Sequence, residues 1–101
     1  MGAPAAAGVR EVFLDKVFLG VNAIDAVRGL TCVHPDEAAI NRALVAQARE
    51  RIVVADHSKL GRVTRCLICP TSEVRMLITD VNATDADVRP FADLGIEVRR
   101  V

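Results

Sequence analysis

The chain has 101 residues, 51% hydrophobic and 3% aromatic, so it can build one modest core of Val, Leu, Ile and Ala. Its 13 Lys and Arg balance 13 Asp and Glu, which argues against direct binding to DNA or an anionic membrane by this chain, since either would need clustered positive charge. No apolar run approaches the ~18 residues of a membrane span, and Met1–Gly8 lacks the basic start and apolar stretch of a signal peptide.

Met1–Gly8, uncharged and rich in Ala, Gly and Pro, reads as a flexible leader, and residues 9–101 as one unit. Three cysteines do not make a disulfide framework, and reduced thiols in a cytoplasmic protein are the reading they favour. Val9–Leu14 is apolar without a clear period. Val17–Val21 is a continuous apolar run broken by Gly20 and reads as a buried strand. Asn22–Val33 reads as a loop, because Asn22, Asp25 and Gly29 are turn formers, with Thr31–Val33 a short extended piece.

Pro35 opens a helix at a position where a missing N–H costs nothing. Asp36 and Glu37 in its first turn suit the helix dipole. The apolar stripe Ala39, Ile40, Ala43, Leu44, Ala46 and Ala48 carries the expected helix over Pro35–Glu50. Ile52–Ala55 follows as a strand, expected at the centre of the sheet. Arg62–Cys69 reads as another strand, ended by Pro70. Ser72 is placed to cap a short helical turn through Met76, and Leu77–Thr79 is a short strand ending at Asp80. Thr84 and Asp87 form a capping pair for a helix running to Leu94, with Gly95 just past its end. Pro90 then either kinks that helix or pushes its start to about Asp87. Ile96–Val101 closes the chain as a strand. Alternating strands and helices of these lengths predict an α/β fold with a mainly parallel sheet flanked by helices.

The stretch that carries chemistry is Ile52–Gly61. An apolar strand runs into Asp56, His57, Ser58 and Lys59, and Gly61 closes the turn. In a parallel sheet, ligands bind outside the carboxyl ends of the strands, where Asp56, Ser58 and Lys59 would stand. A lysine there can hold a phosphate as a point charge. Each candidate also has a purely structural reading: a solvated lysine for Lys59, and turn carboxylates accepting backbone N–H bonds for Asp56 and Asp25. For Glu37 the structural reading is a favourable helix-dipole contact.

Five blocks in fixed order carry a resemblance. They are Asp15-Lys16-Val17-Phe18-Leu19-Gly20-Val21-Asn22-Ala23-Ile24-Asp25, Gly29-Leu30-Thr31, Glu37-Ala38, Ala55-Asp56-His57-Ser58-Lys59-Leu60-Gly61 and Leu77-Ile78-Thr79-Asp80. Together they resemble the C-terminal half of the effector-binding domain of DeoR-family transcriptional repressors, over roughly Asp15 to Val101. The resemblance implies part of a domain with the sugar-phosphate isomerase-like fold of ribose-5-phosphate isomerase and glucosamine-6-phosphate deaminase. It also implies an effector site for a phosphorylated sugar or related metabolite, lined by the loop Asn22–Thr31, with Asn22, Asp25 and Gly29, and by the turn Asp56–Lys59, with Ser58. Gly20, a glycine that permits close backbone approach, and Glu37, in the first helical turn, are the further candidates.

The family pattern also includes an N-terminal winged helix-turn-helix and a Ser/Thr/Gly-rich phosphate loop, and no stretch of this sequence corresponds to either. The chain is therefore expected to be an excised fragment or a truncated homologue, with DNA reached only through a domain it does not contain. The isomerases carry a lysine before their catalytic glutamate. Here the segment before Glu37 is Gly29-Leu30-Thr31-Cys32-Val33-His34-Pro35-Asp36, without lysine, which argues against an isomerase with Glu37 as base.

The expected function is thus ligand sensing for a transcriptional regulator, with no catalytic residue, no cofactor and no membrane partner. The rival readings are an isomerase- or deaminase-related enzyme and an oligomerisation piece without ligand. Cys66-Leu67-Ile68-Cys69 has the spacing of a metal-ligand pair, but a strand sends residues three apart to opposite faces and no second pair exists, so no metal is expected. An unpaired sheet edge predicts a homo-oligomer. Without the backbone N–H groups of a phosphate loop, binding by this chain alone is expected to be millimolar or weaker, about 4 kcal/mol.

Overall fold

A computed structural model describes Gly8 and residues 11–101. Most of the leader read in Met1–Gly8 lies outside the described residues. The main sheet has four parallel strands, β1 (Leu14–Gly20), β4 (Ala48–Val54), β6 (Met76–Thr79) and β7 (Glu97–Arg100), in the order β1-β4-β6-β7. The strand expected over Ile52–Ala55 is thus central, inside β4 but for its last residue. A second sheet is antiparallel: β2 (Ala23–Asp25), β3 (Gly29–Cys32) and β5 (Cys66–Cys69), in the order β2-β3-β5. Among the described residues, helices α1 (Pro35–Gln47) and α2 (Asp85–Ala92) flank the sheets in an α/β architecture.

The second sheet corrects two expectations. Asn22–Val33 is a hairpin rather than a loop, with Asp25 paired to Gly29 across three connecting residues. The turn formers bracket that connection. The Asp25 carboxylate accepts from the N–H groups of Val27 (3.0 Å) and Arg28 (2.7 Å). Gly29 takes φ 98°, the left-handed residue that a three-residue hairpin connection calls for. Of the expected strand Arg62–Cys69, only Cys66–Cys69 is extended, and it pairs with β3 outside the parallel sheet. The turn expected from Ser72 is a 3-10 turn over Thr71–Glu73 without a side-chain cap. Its Thr71 hydroxyl donates instead to the Asp25 carbonyl.

Helix α1 stops three residues earlier than its alanine-rich pattern suggests. Parallel pairing with β1, which matches Leu14 to Ala48 and Lys16 to Glu50, draws Ala48–Glu50 into β4. The Arg51 guanidinium then donates to the carbonyls of Val45 (3.2 Å) and Ala48 (2.7 Å), covering the end of the helix.

Helix α2 begins as its capping pair predicts. Asp87 N–H donates to the Thr84 hydroxyl (3.1 Å), and Thr84 N–H donates to the Asp87 carboxylate (2.9 Å). Pro90 therefore lies inside the helix rather than in its first turn. The exit has the two bonds of a Schellman closure: Gly95 N–H to Ala92 carbonyl at 2.9 Å and Ile96 N–H to Phe91 carbonyl at 3.3 Å, with Gly95 at φ 84°. Phe91 and Ile96, the residues such a closure brings together, are both buried in the core.

Strand alternation gives the parallel sheet two unlike faces. Val17, Leu19, Val53 and Leu77 point to one face and are buried with Ala38 and Val45 of α1 and Phe91 of α2. The opposite face carries Phe18, Ile52, Val54, Met76 and Ile78. Phe18 there is 63% exposed and Val54 46%. Parallel sheets normally bury both faces, so a half-open one has apolar surface to cover.

Candidate functional site

All four parallel strands end at the same edge. Gly20, Val54, Thr79 and Arg100 are their last residues; Asp80 follows β6 directly, and Asp56 follows β4 after Ala55. Helix α1 leads straight into the amino end of β4, so its first turn, with Glu37, lies at that same edge.

The turn after β4 is held by its own side chains. Asp56 caps the 3-10 turn His57–Lys59. One carboxylate oxygen accepts from the Ser58 N–H at 2.9 Å and from the Ser58 hydroxyl; the other accepts from the Lys59 ammonium at 3.0 Å. The Ser58 hydroxyl and the Lys59 ammonium hold the carboxyl well below its usual range, at about 2. Asp56 is thus fully engaged in orienting Ser58 and Lys59. The ammonium of Lys59, on a partly exposed side chain, is the cation of this turn.

Two further bonds fix the turn in space. Gly61 N–H donates to the Ile24 carbonyl (2.8 Å), docking the turn on β2 beside Asp25. His57 Nδ1 meets the Asp80 carboxylate at 2.9 Å, joining the ends of β4 and β6. That hydrogen bond raises the imidazole above its usual 6.5 and lowers the Asp80 carboxyl. The His57 N–H also donates to Asp80 (3.3 Å), and the N–H groups of Lys59 and Leu60 donate to carbonyls within the turn. Every backbone N–H from His57 to Gly61 is therefore engaged within the protein. The turn offers an anion side chains rather than an N–H cradle.

The eight sequence-derived candidates separate by role. Asp56, Ser58 and Lys59 form one hydrogen-bonded group. Gly20 ends β1 in open space at the same edge. The carboxylate of Asp25 is occupied by its hairpin turn. Asn22 Oδ1 accepts from the Val33 N–H (3.0 Å), tying the end of β1 to the end of β3. At Gly29 a side chain would meet the Cys69 carbonyl oxygen at 2.7 Å, so that glycine permits strand packing. Glu37 borders a depression of about 490 Å³ with His34, Pro35, Asp36 and Ile40.

Asp80 was not among the candidates. Its signal in the sequence is a second strand with an Asp at its end, as Asp56 stands just past β4, but its partner lies 23 residues away. One ligand atom each from Asp56, His57 and Asp80 lie within 4.8 Å of one another. A cation there would have to displace the His57–Asp80 bond and compete with Lys59 for Asp56. The groove beside this cluster, about 200 Å³ between Val54, Ala55, Ile78, Thr79 and Val101, is apolar-walled. A larger depression, about 600 Å³ among Arg49, Arg51, Glu73 and Arg75, is at the opposite, amino end of the sheet.

The family model of the DeoR C terminal sensor domain matches residues 1–81. The chain belongs to the DeoR sensor-domain family. It is 37% identical over 89 residues to the HTH-type transcriptional regulator GlpR of Haloferax volcanii, covering 88% of this chain and 34% of that protein. It is 32% identical over 102 residues to the HTH-type transcriptional regulator YgbI of Escherichia coli K12, covering 99% of this chain and 40% of the relative. It is 36% identical over 71 residues to the glycerol-3-phosphate regulon repressor of Haemophilus influenzae, covering 70% of this chain and 28% of the relative. This DeoR sensor chain thus spans two-fifths or less of the length of these relatives. Its fold is the sugar isomerase-like one that the motif order implied.

Proposed function

We propose that this chain is the ligand-sensing part of a DeoR-type transcriptional regulator, and that its effector is a phosphorylated sugar or a related phosphorylated metabolite. The observation that carries the reading is the Lys59 ammonium, oriented by Asp56 at the carboxyl end of the central strand. There it can meet a phosphate as a point charge. Ser58 stands beside it, and Gly20 leaves the neighbouring strand end open. The name of the Haemophilus influenzae relative, the glycerol-3-phosphate regulon repressor, supports a phosphorylated effector. The relatives named HTH-type regulators support the rest of the scheme: DNA is bound by a helix-turn-helix domain outside this chain, and effector binding shifts the population of DNA-competent assemblies.

The role is regulatory rather than enzymatic, and Glu37 is assigned no catalytic step. The setting is the cytoplasm, where such regulators meet DNA. No helix among the described residues is long and apolar enough to cross a membrane. The assembly is a homo-oligomer using the β1 edge, which has no strand on its outer side among the described residues and displays Phe18.

The test is calorimetric titration of the chain and its Lys59→Ala variant with ribose 5-phosphate, glucosamine 6-phosphate and glycerol 3-phosphate. Because the turn supplies no N–H cradle, the expected affinity is about millimolar, roughly 4 kcal/mol. Lys59→Ala should weaken it, and the unphosphorylated compounds should not bind. Equal binding by wild type and Lys59→Ala would remove the phosphate from this turn.

A further inference from the structure

We propose that Cys32 and Cys66 form an oxidisable pair that closes to a disulfide and fastens β3 to β5. All three cysteines are free thiols in the structure. Cys32 and Cys66 are directly opposed residues of the antiparallel β3–β5 ladder, so their side chains leave the same face of the sheet. Directly opposed residues in such a ladder have Cα atoms about 4.5–5.5 Å apart, inside the roughly 4.4–6.8 Å that a disulfide spans.

The thiols converge as well. Cys32 Sγ donates to the His34 carbonyl at 3.4 Å, and Cys66 Sγ donates to the Val33 carbonyl at 3.6 Å. Both sulfurs therefore lie against adjacent carbonyls of the short link between β3 and α1. Their proximity is also felt electrostatically. Burial, first, then Glu37 and Cys66 push the Cys32 thiol above its usual range.

Cys69 is excluded from the pair by position. Its partner across the ladder is Leu30, and burial pushes its thiol up to about 11. Along the strand, three residues separate it from Cys66, about 10 Å at the usual rise and beyond the reach of a disulfide. The two partners differ in access: Cys66 is partly exposed and Cys32 is only 2% exposed.

With glutathione disulfide as oxidant, the Cys66 thiolate attacks one of its sulfurs, forms a mixed disulfide and expels one glutathione thiolate. The Cys32 thiolate then attacks Cys66 Sγ, forms the Cys32–Cys66 bond and expels the second glutathione. Two protein thiols give up two electrons and two protons, and one glutathione disulfide becomes two glutathione thiols. The resulting bond closes a long loop, through α1 and β4, and so stabilises the fold against unfolding.

The experiment equilibrates the chain in glutathione disulfide/glutathione buffers, blocks remaining thiols by alkylation, and maps the links by mass spectrometry after non-reducing tryptic digestion. The expected product joins the peptide 29–42 to the peptide 66–75. It should persist in Cys69→Ser and vanish in Cys66→Ser, whose partly exposed site tolerates the change. The oxidised chain should melt higher than the reduced one, and Cys66→Ser should lose that difference. Glutathionylated or intermolecularly linked chains without the 29–42/66–75 product would overturn the proposal. So would a link that survives Cys66→Ser.

Discussion

Gly29→Ala separates a packing role from a ligand role at one of the candidate site residues. Gly29 adopts φ 98°, where an L side chain is strained by about 1–3 kcal/mol. An added Cβ would also stand 2.7 Å from the Cys69 carbonyl oxygen and 3.0 Å from a Leu67 methyl. The first neighbour is backbone of β5, held in the ladder, so it cannot yield without opening the β3–β5 pairing. Overpacking of this kind costs about 1–3 kcal/mol more. A combined loss of about 3 kcal/mol is a large share of the roughly 5–15 kcal/mol that holds a domain folded. At about 4–8 °C per kcal/mol for a domain of this size, the melting temperature should fall by about 12–24 °C. The control is Gly20→Ala, where nothing lies within 4 Å of the added Cβ and φ is ordinary. Its melting temperature should hardly move. The assay is thermal unfolding by far-ultraviolet circular dichroism, alongside sugar-phosphate titration. A Gly29→Ala chain that melts with wild type would refute the steric argument. If that chain also lost its ligand, the glycine would belong to the binding surface instead.

Two further outcomes are expected. The His57–Asp80 pair should make stability depend on pH from two sides. The imidazole pKa is raised by the Asp80 carboxylate, so its contribution is full below about 6.5 and fades as pH rises through the higher folded value. The Asp80 carboxyl is lowered, so its contribution is present above about 3.8 and fades on acidification. Melting temperatures of wild type minus His57→Gln should therefore be largest between these limits, and a flat difference from pH 4 to pH 8 would dismiss the pair. On the open sheet face, Phe18→Lys should leave the chain monomeric by light scattering where wild type forms the proposed homo-oligomer, with the circular dichroism spectrum intact, because Phe18 is 63% exposed within the single chain. An unchanged assembly state would place the interface elsewhere.

Much of this fold was legible because its signals are local. Pro35 with Asp36 and Glu37 marks the start of α1, and the Thr84–Asp87 pair marks that of α2. The continuous apolar run at Ile52–Ala55 marks a strand buried on a parallel sheet. The Asp56–Ser58–Lys59 group was legible for the same reason: its members are within three residues of one another, and a single turn suffices to join them. The family followed from five such blocks in fixed order.

What the sequence could not reveal depends on partners far along the chain. Ala48–Glu50 continue a helical alanine pattern, and only the hydrogen bonds offered by β1 make them strand. The hairpin of β2 and β3 shows no alternation because it is buried almost throughout, so its turn formers read as a loop. Asp25 and Gly29 look alike as loop residues. The turn-carboxylate reading of Asp25 needs only its neighbours Val27 and Arg28, whereas the clearance that Gly29 gives beneath Cys69 is decided by the tertiary structure. His57 found Asp80, and Cys32 found Cys66, only when parallel and antiparallel pairing brought separate strands into register. Local chemistry thus set where the chain turns and starts its helices. Long-range pairing decided which side chains meet at the carboxyl edge.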